Sequence, residues 1–432
     1  MNRGIVWAVL AVTAVGVTAA TAPAGAQGAS DRLLQDLRSP STRTRIDALH
    51  ALGDQAHMDA AVPMAALLLD GNDDVQFEAI EAILKLYTVR ADMNARPWGV
   101  TATGRPTTLS EGAFEAGPLA TIPAAVPVDV LVNLGSVMRQ DETGRIRYAA
   151  GYALGVLASP ALGPMPATAV EPVTNDIVEG LKHADANTRQ LVARIAGRIF
   201  AETGNVPASI PVGDALVAAM NDKDGLVRRW SMDSLGYLKY DRALQALTDR
   251  ASFYGKSEEG AAAFHAIARI ANPASAPVMR PLVVNTYVPF RLIAIEGIGR
   301  VGDAGGLPQV TEALRTESDA GVQLAGAYTR FLLGQADVIA IADALEKTET
   351  AVQAKVYLGE IAASRPADIT PLLKTPSPST RMIAVEVLGV SRHPDQVTAL
   401  EPLLKDPSPD VVAATSEAIR RLRAYEAVAG KP

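Results

Sequence analysis

The segment Arg291-Leu-Ile-Ala-Ile-Glu-Gly-Ile-Gly299 returns almost unchanged, ninety residues later, as Arg381-Met-Ile-Ala-Val-Glu-Val-Leu-Gly389. A chain that repeats itself at a fixed period folds as stacked copies of one unit, each burying its apolar face on its neighbours. Stepping by 30 residues from Arg291 lands on Gly321, Ala351, Arg381 and Val411, and the next residue is apolar each time: Leu292, Val322, Val352, Met382 and Val412. The same unit reads at Arg45–Gly53, Arg147–Gly155, Arg189–Gly197 and Arg228–Gly236, with weaker copies at Gln76–Leu84 and near Gly260–Ala268. These anchors predict about eleven repeats of period about 30.

Each unit reads as a pair of short helices. Between Asp395 and Lys405, Val397, Leu400, Leu403 and Leu404 fall at helical spacing on one face. Asp406-Pro407-Ser408-Pro409 then interrupts the chain, with Ser408 suited to cap the next helix and Pro409 to open it. Ser377-Pro378 repeats the arrangement one unit earlier. Aromatic residues make up only 5%, which suits helices packed through Ala, Leu, Val and Ile. The expected fold is all-α: an α-solenoid, or α-α superhelix.

The unit Asp222-Lys-Asp-Gly-Leu-Val-Arg-Arg-Trp-Ser-Met-Asp-Ser-Leu-Gly236 resembles HEAT repeats, particularly the short bacterial variety also found in phycobilisome-lyase-like proteins. In that pattern an acidic or Ser/Pro turn precedes Val-Arg and an Ala-rich helix ending in Leu-Gly. The resemblance covers most of residues 31–426 and implies the fold. It implies little about activity, because such scaffolds host many roles.

The N-terminus points to export. Arg3 precedes an apolar run from Gly4 to Ala20, and Pro23-Ala24-Gly25-Ala26 supplies a small-residue site for cleavage after Ala26. The expected organisation is a signal peptide over 1–26, a solenoid over 27–426 and a tail over 427–432, with no membrane span left after cleavage. The compartment would be the periplasm or the exterior. The chain has no cysteine, which removes disulfides and thiolate chemistry. Its net charge of −7, without a basic stripe, argues against a nucleic-acid partner.

Three insertions interrupt the register, at about 89–125, 159–172 and 203–211. The first is rich in Gly, Pro and Thr and reads as a loop without a helix pair. It carries Arg96, Trp98, Arg105 and Phe114, the candidate partner-binding residues, because arginine and aromatic anchors dominate interface energetics. The second, with four prolines, reads as an extended connector.

Motifs for chemistry are weak. Gly297-Ile-Gly299-Arg-Val-Gly302 matches a dinucleotide fingerprint but lies at a helix end, where no strand precedes it. Gly255-Lys256-Ser257 lacks the first glycine of a phosphate loop. Asp70, Asn72, Asp74 and Glu81 fit a calcium-loop spacing, with Val75 where the turn requires glycine. His50, His57, His183, His265 and His393 form no ligand motif. The recurring arginines read as structural partners of turn acids such as Asp141, Asp185 and Asp222. No catalytic, cofactor or metal residue is therefore assigned.

The function expected is an exported, non-enzymatic scaffold that binds a protein or peptide on one face. Two alternatives are an enzyme or enzyme subunit of the phycobilisome-lyase type and a glycan or peptide receptor using the Trp98 insertion. Expressed with its own leader, the mature chain should begin at Gln27 by intact mass. Recovery of the full-length chain in the membrane fraction would instead indicate an uncleaved anchor.

Overall fold

The computed structural model describes residues 24–89 and 108–430. Among them every regular element is helical, apart from one isolated bridge between Thr88 and Thr121. The fold is an α-solenoid. Its eleven repeats each end in a second helix: Thr42–Asp54, Asp73–Tyr87, Gly144–Leu157, Ala186–Ile199, Gly225–Leu238, Glu258–Ile270, Val288–Arg300, Ala320–Leu332, Ala351–Ser364, Pro378–Gly389 and Pro409–Ala429. Second helices pack on second helices along the array. Several first helices are shorter and partly of the tighter 3-10 type, as in Pro366–Lys374, where Pro371 removes an amide donor.

Side-chain capping fixes where seven of the eleven described second helices begin. The Ser41, Asn72, Asp185, Asp224, Ser257, Asp319 and Ser377 side chains accept backbone N–H groups of the first turn. Ser408 stands at the cap position before Pro409, but its hydroxyl makes no cap bond. The steps from Tyr287 through Asp319, Thr350 and Ser377 to Ser408 are unequal, so the strict period is only an average. Counted from its cap, repeat 8 carries Gln323, and not Gly321, where repeat 7 carries Arg291.

The residue four positions after the cap ties successive repeats together. Arg189 donates Nη1 to the carbonyls of His183 and Ala184 in the loop before its own helix. Its other two nitrogens grip the Asp222 carboxylate of the next repeat at 2.7 and 2.9 Å. Arg381 does the same with Thr375, Pro376 and Asp406, and Arg291 with Asn285 and Glu317. Arg45 pairs with Asp70, Arg147 with Asp185 and Arg228 with Glu259. The structural reading of these arginines is therefore the observed one. A planar fork that is always charged suits a loop-to-loop clamp with little room for water.

Glycine closes the repeated unit because helices approach there. A Cβ on Gly389 would lie 2.7 Å from the Ala418 side chain, and one on Gly299 would lie 2.9 Å from the Thr329 backbone. Gly297 and Gly299 of the Gly297–Gly302 motif are thus packing positions near the end of helix Val288–Arg300, and Gly302 takes the positive φ of the turn after it.

Several sequence expectations need correction. Residues 108–123 of the first insertion hold a helix, Leu109–Ala116, and a 3-10 turn, Gly117–Ala120. Glu81 makes this helix possible: its carboxylate accepts the Leu109 and Ser110 amides at the helix start. The 159–172 segment is not wholly extended, because helix Ala167–Gly180 takes in Pro172. Leu404 is exposed instead of joining Leu400 and Leu403 in the core, since the first helix there ends as a 3-10 turn. The last helix runs to Ala429, so residues 427–429 are not a free tail.

The array also returns to its own start. Arg421 in the last helix donates to the carbonyls of Pro118, at 2.7 Å, and Leu119. Val428 lies against Gly163, and Arg392 after repeat 10 pairs with Glu202 after repeat 4. The insertion thereby closes the superhelix into a ring.

Replacing Arg189 by Ala would strand Asp222 and two loop carbonyls in a site where both side chains are mostly buried. We expect a loss of about 3–5 kcal/mol. The exposed Arg43–Asp47 pair provides the control, and Arg43→Ala should cost below about 0.5 kcal/mol. Urea unfolding of both variants checks this; equal midpoints would refute the clamp.

Candidate functional site

Side chains two or three repeats apart can meet only on the inside of a curve, so such contacts locate the concave face. Arg300 of repeat 7 grips Glu360 of repeat 9 at 3.0 and 3.1 Å. Arg269 of repeat 6 reaches the same carboxylate at 3.8 Å. Arg194 of repeat 4 pairs with Glu115 on the insertion helix at 2.7 Å, passing repeat 3.

All of these residues stand toward the end of their helices. In the repeated unit Arg-x-x-Ala-x-x-x-Leu-Gly, the sixth position holds His50, Tyr152, Arg194, Asp233, Glu296 and Glu386. Each is polar or ionisable in the middle of an apolar pattern. That position, with the one a helical turn later, forms the concave stripe. Sequence reasoning aligned these segments for their Leu-Gly ending and passed over the sixth position, although it is visible in these six copies.

The stripe holds two linked clusters. In the first, the Arg194 guanidinium lies 5.0 Å from the Phe114 ring centre and 4.9 Å from that of Trp230. The Arg198 guanidinium lies 3.9 Å from the same Phe114 ring centre and donates to the Phe114 carbonyl oxygen. Phe114 also packs on Tyr152, their ring centres 5.4 Å apart.

In the second cluster Tyr328 and Tyr357 stack nearly parallel at 4.1 Å. The Tyr328 hydroxyl donates to Glu360 at 2.7 Å, the Tyr357 hydroxyl donates to Glu296, and Arg300 donates to Glu296 at 2.9 Å. Asp233 faces His265 at 3.5 Å, and Arg269 stacks 4.3 Å from the Tyr237 ring centre.

Charge compensation sets the ionisation of these groups. Burial alone would raise the Glu360 carboxyl, but Arg300 and Arg269 outweigh it and hold it down at about 2. The same contest leaves Asp233 below its ordinary value, through His265, Arg269 and Arg194. Burial beside carboxylates pushes the Tyr328 and Tyr357 hydroxyls well up. Groups held this way are fixed charges and hydrogen-bond donors. Among the described residues, His265 lies against Asp233 and the Arg269 side chain.

Of the candidate docking residues, Arg96, Trp98 and Arg105 lie outside the described residues. Phe114 is described and is 3% exposed, so it offers no free ring to a partner. The structure buries it because its helix packs on the neighbouring second helices Asp73–Tyr87 and Gly144–Leu157.

The calcium-spaced residues do not converge. Asp70 serves Arg45, Asn72 caps its helix, and Glu81 caps the insertion helix. Gly255 and Ser257 form a turn and cap before helix Glu258–Ile270, and Lys256 donates to the Thr286 hydroxyl. The histidines are dispersed: His50 contacts Glu78, His183 accepts the Asp185 amide, and His393 lies against the Ala363 carbonyl.

No family model matches the chain, and no curated protein matches it. Solved structures do. An engineered protein matches at 16% identity over 91% of this chain and 98% of its own, with a TM-score of 0.41. The CpcE–CpcF complex of phycocyanin lyase from Nostoc sp. PCC7120 matches at 18% identity over 58% of this chain and 94% of that one, with a TM-score of 0.40. Importin beta matches at 13% identity over 93% of this chain and 57% of that one, also at 0.40. The chain thus spans little more than half of importin beta. The helical repeat architecture of this chain rests on its own elements.

Because the Glu360 carboxyl is depressed on folding, its contribution is present above the ordinary value of 4.5 and is lost as pH falls toward about 2. The wild-type chain should lose stability across that window. Glu360→Gln should start less stable at neutral pH and show a shallower acid slope, read from thermal midpoints. Parallel pH profiles would contradict the assignment.

Proposed function

We propose that this chain is an exported, non-catalytic scaffold that docks a protein partner on the rim of its ring. The observation that carries this reading is a recurrence of exposed apolar side chains at one edge. The turn joining the two helices of a repeat presents Leu69, Leu226, Phe253, Val284, Val352 and Leu404, with exposures from 41% for Leu226 to 79% for Phe253. Three of them, Leu226, Phe253 and Val284, come from consecutive repeats. Single exposed apolar residues are ordinary; a row along one edge of a rigid array, three or four residues before the cap in Leu69, Phe253, Val284 and Leu404 and two after it in Leu226 and Val352, is a template for a partner.

The arginine clamps lie in the same turns and hold them rigid, which lowers the ordering cost of docking. The concave face suits a folded partner less well. Its own side chains bridge it from repeat 6 to repeat 9, and a helix with its side chains is about 10–12 Å across.

A photocrosslinking residue placed at Leu69, Phe253 and Val284 tests the proposal in native envelope material, with the exposed Arg242, in the turn between repeats 5 and 6 at the opposite edge, as control. Discrete protein adducts from the rim positions, absent at Arg242, are expected. Absence of adducts at all three rim positions would sink the scaffold reading.

A further inference from the structure

Arg198 stands in the concave stripe without a carboxylate partner among the described residues. Arg194 has Glu115, Arg269 and Arg300 share Glu360, and Arg421 has Glu417. Arg198 forms no ion pair among the described residues. One of its N–H groups donates to the Phe114 carbonyl, and the Phe114 ring supports one face of the guanidinium. The remaining donors have no protein acceptor among the described residues.

Tyr237 occupies the same level of the next helix and is also unsatisfied. Its ring is 41% exposed, backed by Arg269 at 4.3 Å, and its hydroxyl makes no hydrogen bond among the described residues. Helices Ala186–Ile199 and Gly225–Leu238 pack side by side, so these two donors and one open aromatic face lie next to each other, close enough for each side chain to act electrostatically on the other. Other charges around them are already answered: Asp233 faces His265 and Arg269, and Glu360 faces Arg269 and Arg300.

We propose that Arg198 and Tyr237 form a binding site for one anionic group, a carboxylate or phosphate, on a small molecule whose flat or apolar body rests on the Tyr237 ring. The fork of Arg198 would take the anion through parallel N–H bonds, the arrangement in which arginine binds such groups most strongly. The Tyr237 hydroxyl would supply a further donor. Burial depresses Arg198 to about 10, and an anion would reverse that shift by restoring the compensation its neighbours receive. The bridging side chains limit the guest to one charged group, because Asp233 and Glu360 would repel a second.

This site is independent of the rim, and the two can be tested separately. Benzoate, phenyl phosphate and inorganic phosphate serve as probes, with benzyl alcohol as the uncharged control. Titration calorimetry on the whole chain should show saturable binding of benzoate or phenyl phosphate, with benzyl alcohol inert. A preference for benzoate would assign a carboxylate, and a preference for phenyl phosphate, with inorganic phosphate following, would assign a phosphate.

Arg198→Gln should weaken binding by at least about tenfold, the expected loss of a charge-assisted pair. Tyr237→Phe keeps the ring and its packing, so it tests the site even if the arginine variant is poorly folded; it should weaken binding several-fold. Unsaturable binding of every anion, or equal affinity in the parent and Tyr237→Phe, would overturn the proposal. Neither outcome bears on crosslinking at the rim.

Discussion

The bidentate clamp from one repeat's arginine to the next repeat's turn acid is the interaction on which the array depends. A solenoid has no central core to fix the angle between units, so something must set it at each joint. Apolar packing alone is non-directional and would tolerate a range of angles. The arginine removes that freedom by joining three places: its own helix, the carbonyls of its own loop, and a carboxylate one repeat onward. In the Arg189 joint all three are satisfied at 2.7–3.0 Å. Asp222 in turn accepts the Asp224 amide at 2.8 Å, so the clamp also shapes the turn that caps the following helix.

The clamp is missing at some joints, and other contacts stand in. Gln323 occupies the arginine position in repeat 8 and satisfies only local carbonyls, those of Leu314 and Glu317. Ala354 occupies it in repeat 9. The buried apolar core divides at this same place, near Leu324 and Ala325. The Glu296–Arg300–Glu360 network with the stacked Tyr328 and Tyr357 spans the gap on the concave side. At the joint between repeats 6 and 7, where Ala261 replaces arginine, Phe264 and Phe290 meet edge to face at 4.8 Å. Polar networks of this kind are stabilising only when every member finds a partner, which explains the mutual satisfaction of the concave stripe and makes Arg198 conspicuous within it.

Ring closure follows from the insertion between repeats 2 and 3. Its short helix fills a position among the second helices, and Phe114 becomes a platform for two arginines instead of an anchor for a partner. The 3-10 turn after it leaves the Pro118 and Leu119 carbonyls free to receive Arg421 from the last helix. Composition suggested a loop because Gly117 and Pro118 are turn formers, and they are, but only after two helical turns capped by Thr108 and by the distant Glu81. A cap supplied by another helix leaves no local signature.

The sequence by itself determined the unit and its number: helix pairs opened by Ser, Asp or Asn caps, apolar spacing for one buried face, and an arginine facing an acid in the next turn. These are local rules of hydrogen bonding and periodicity, repeated often enough to be read from single copies. Tertiary structure decided the curvature, and with it everything that depends on residues far apart in the chain. The sixth position of each unit was legible as polar in His50, Tyr152, Asp233 and Glu296, but nothing in one repeat says that Arg269 and Arg300 will share Glu360. That pairing exists because many small joint angles add up to a tight ring, and a sum over the whole array is not written in any one of its terms.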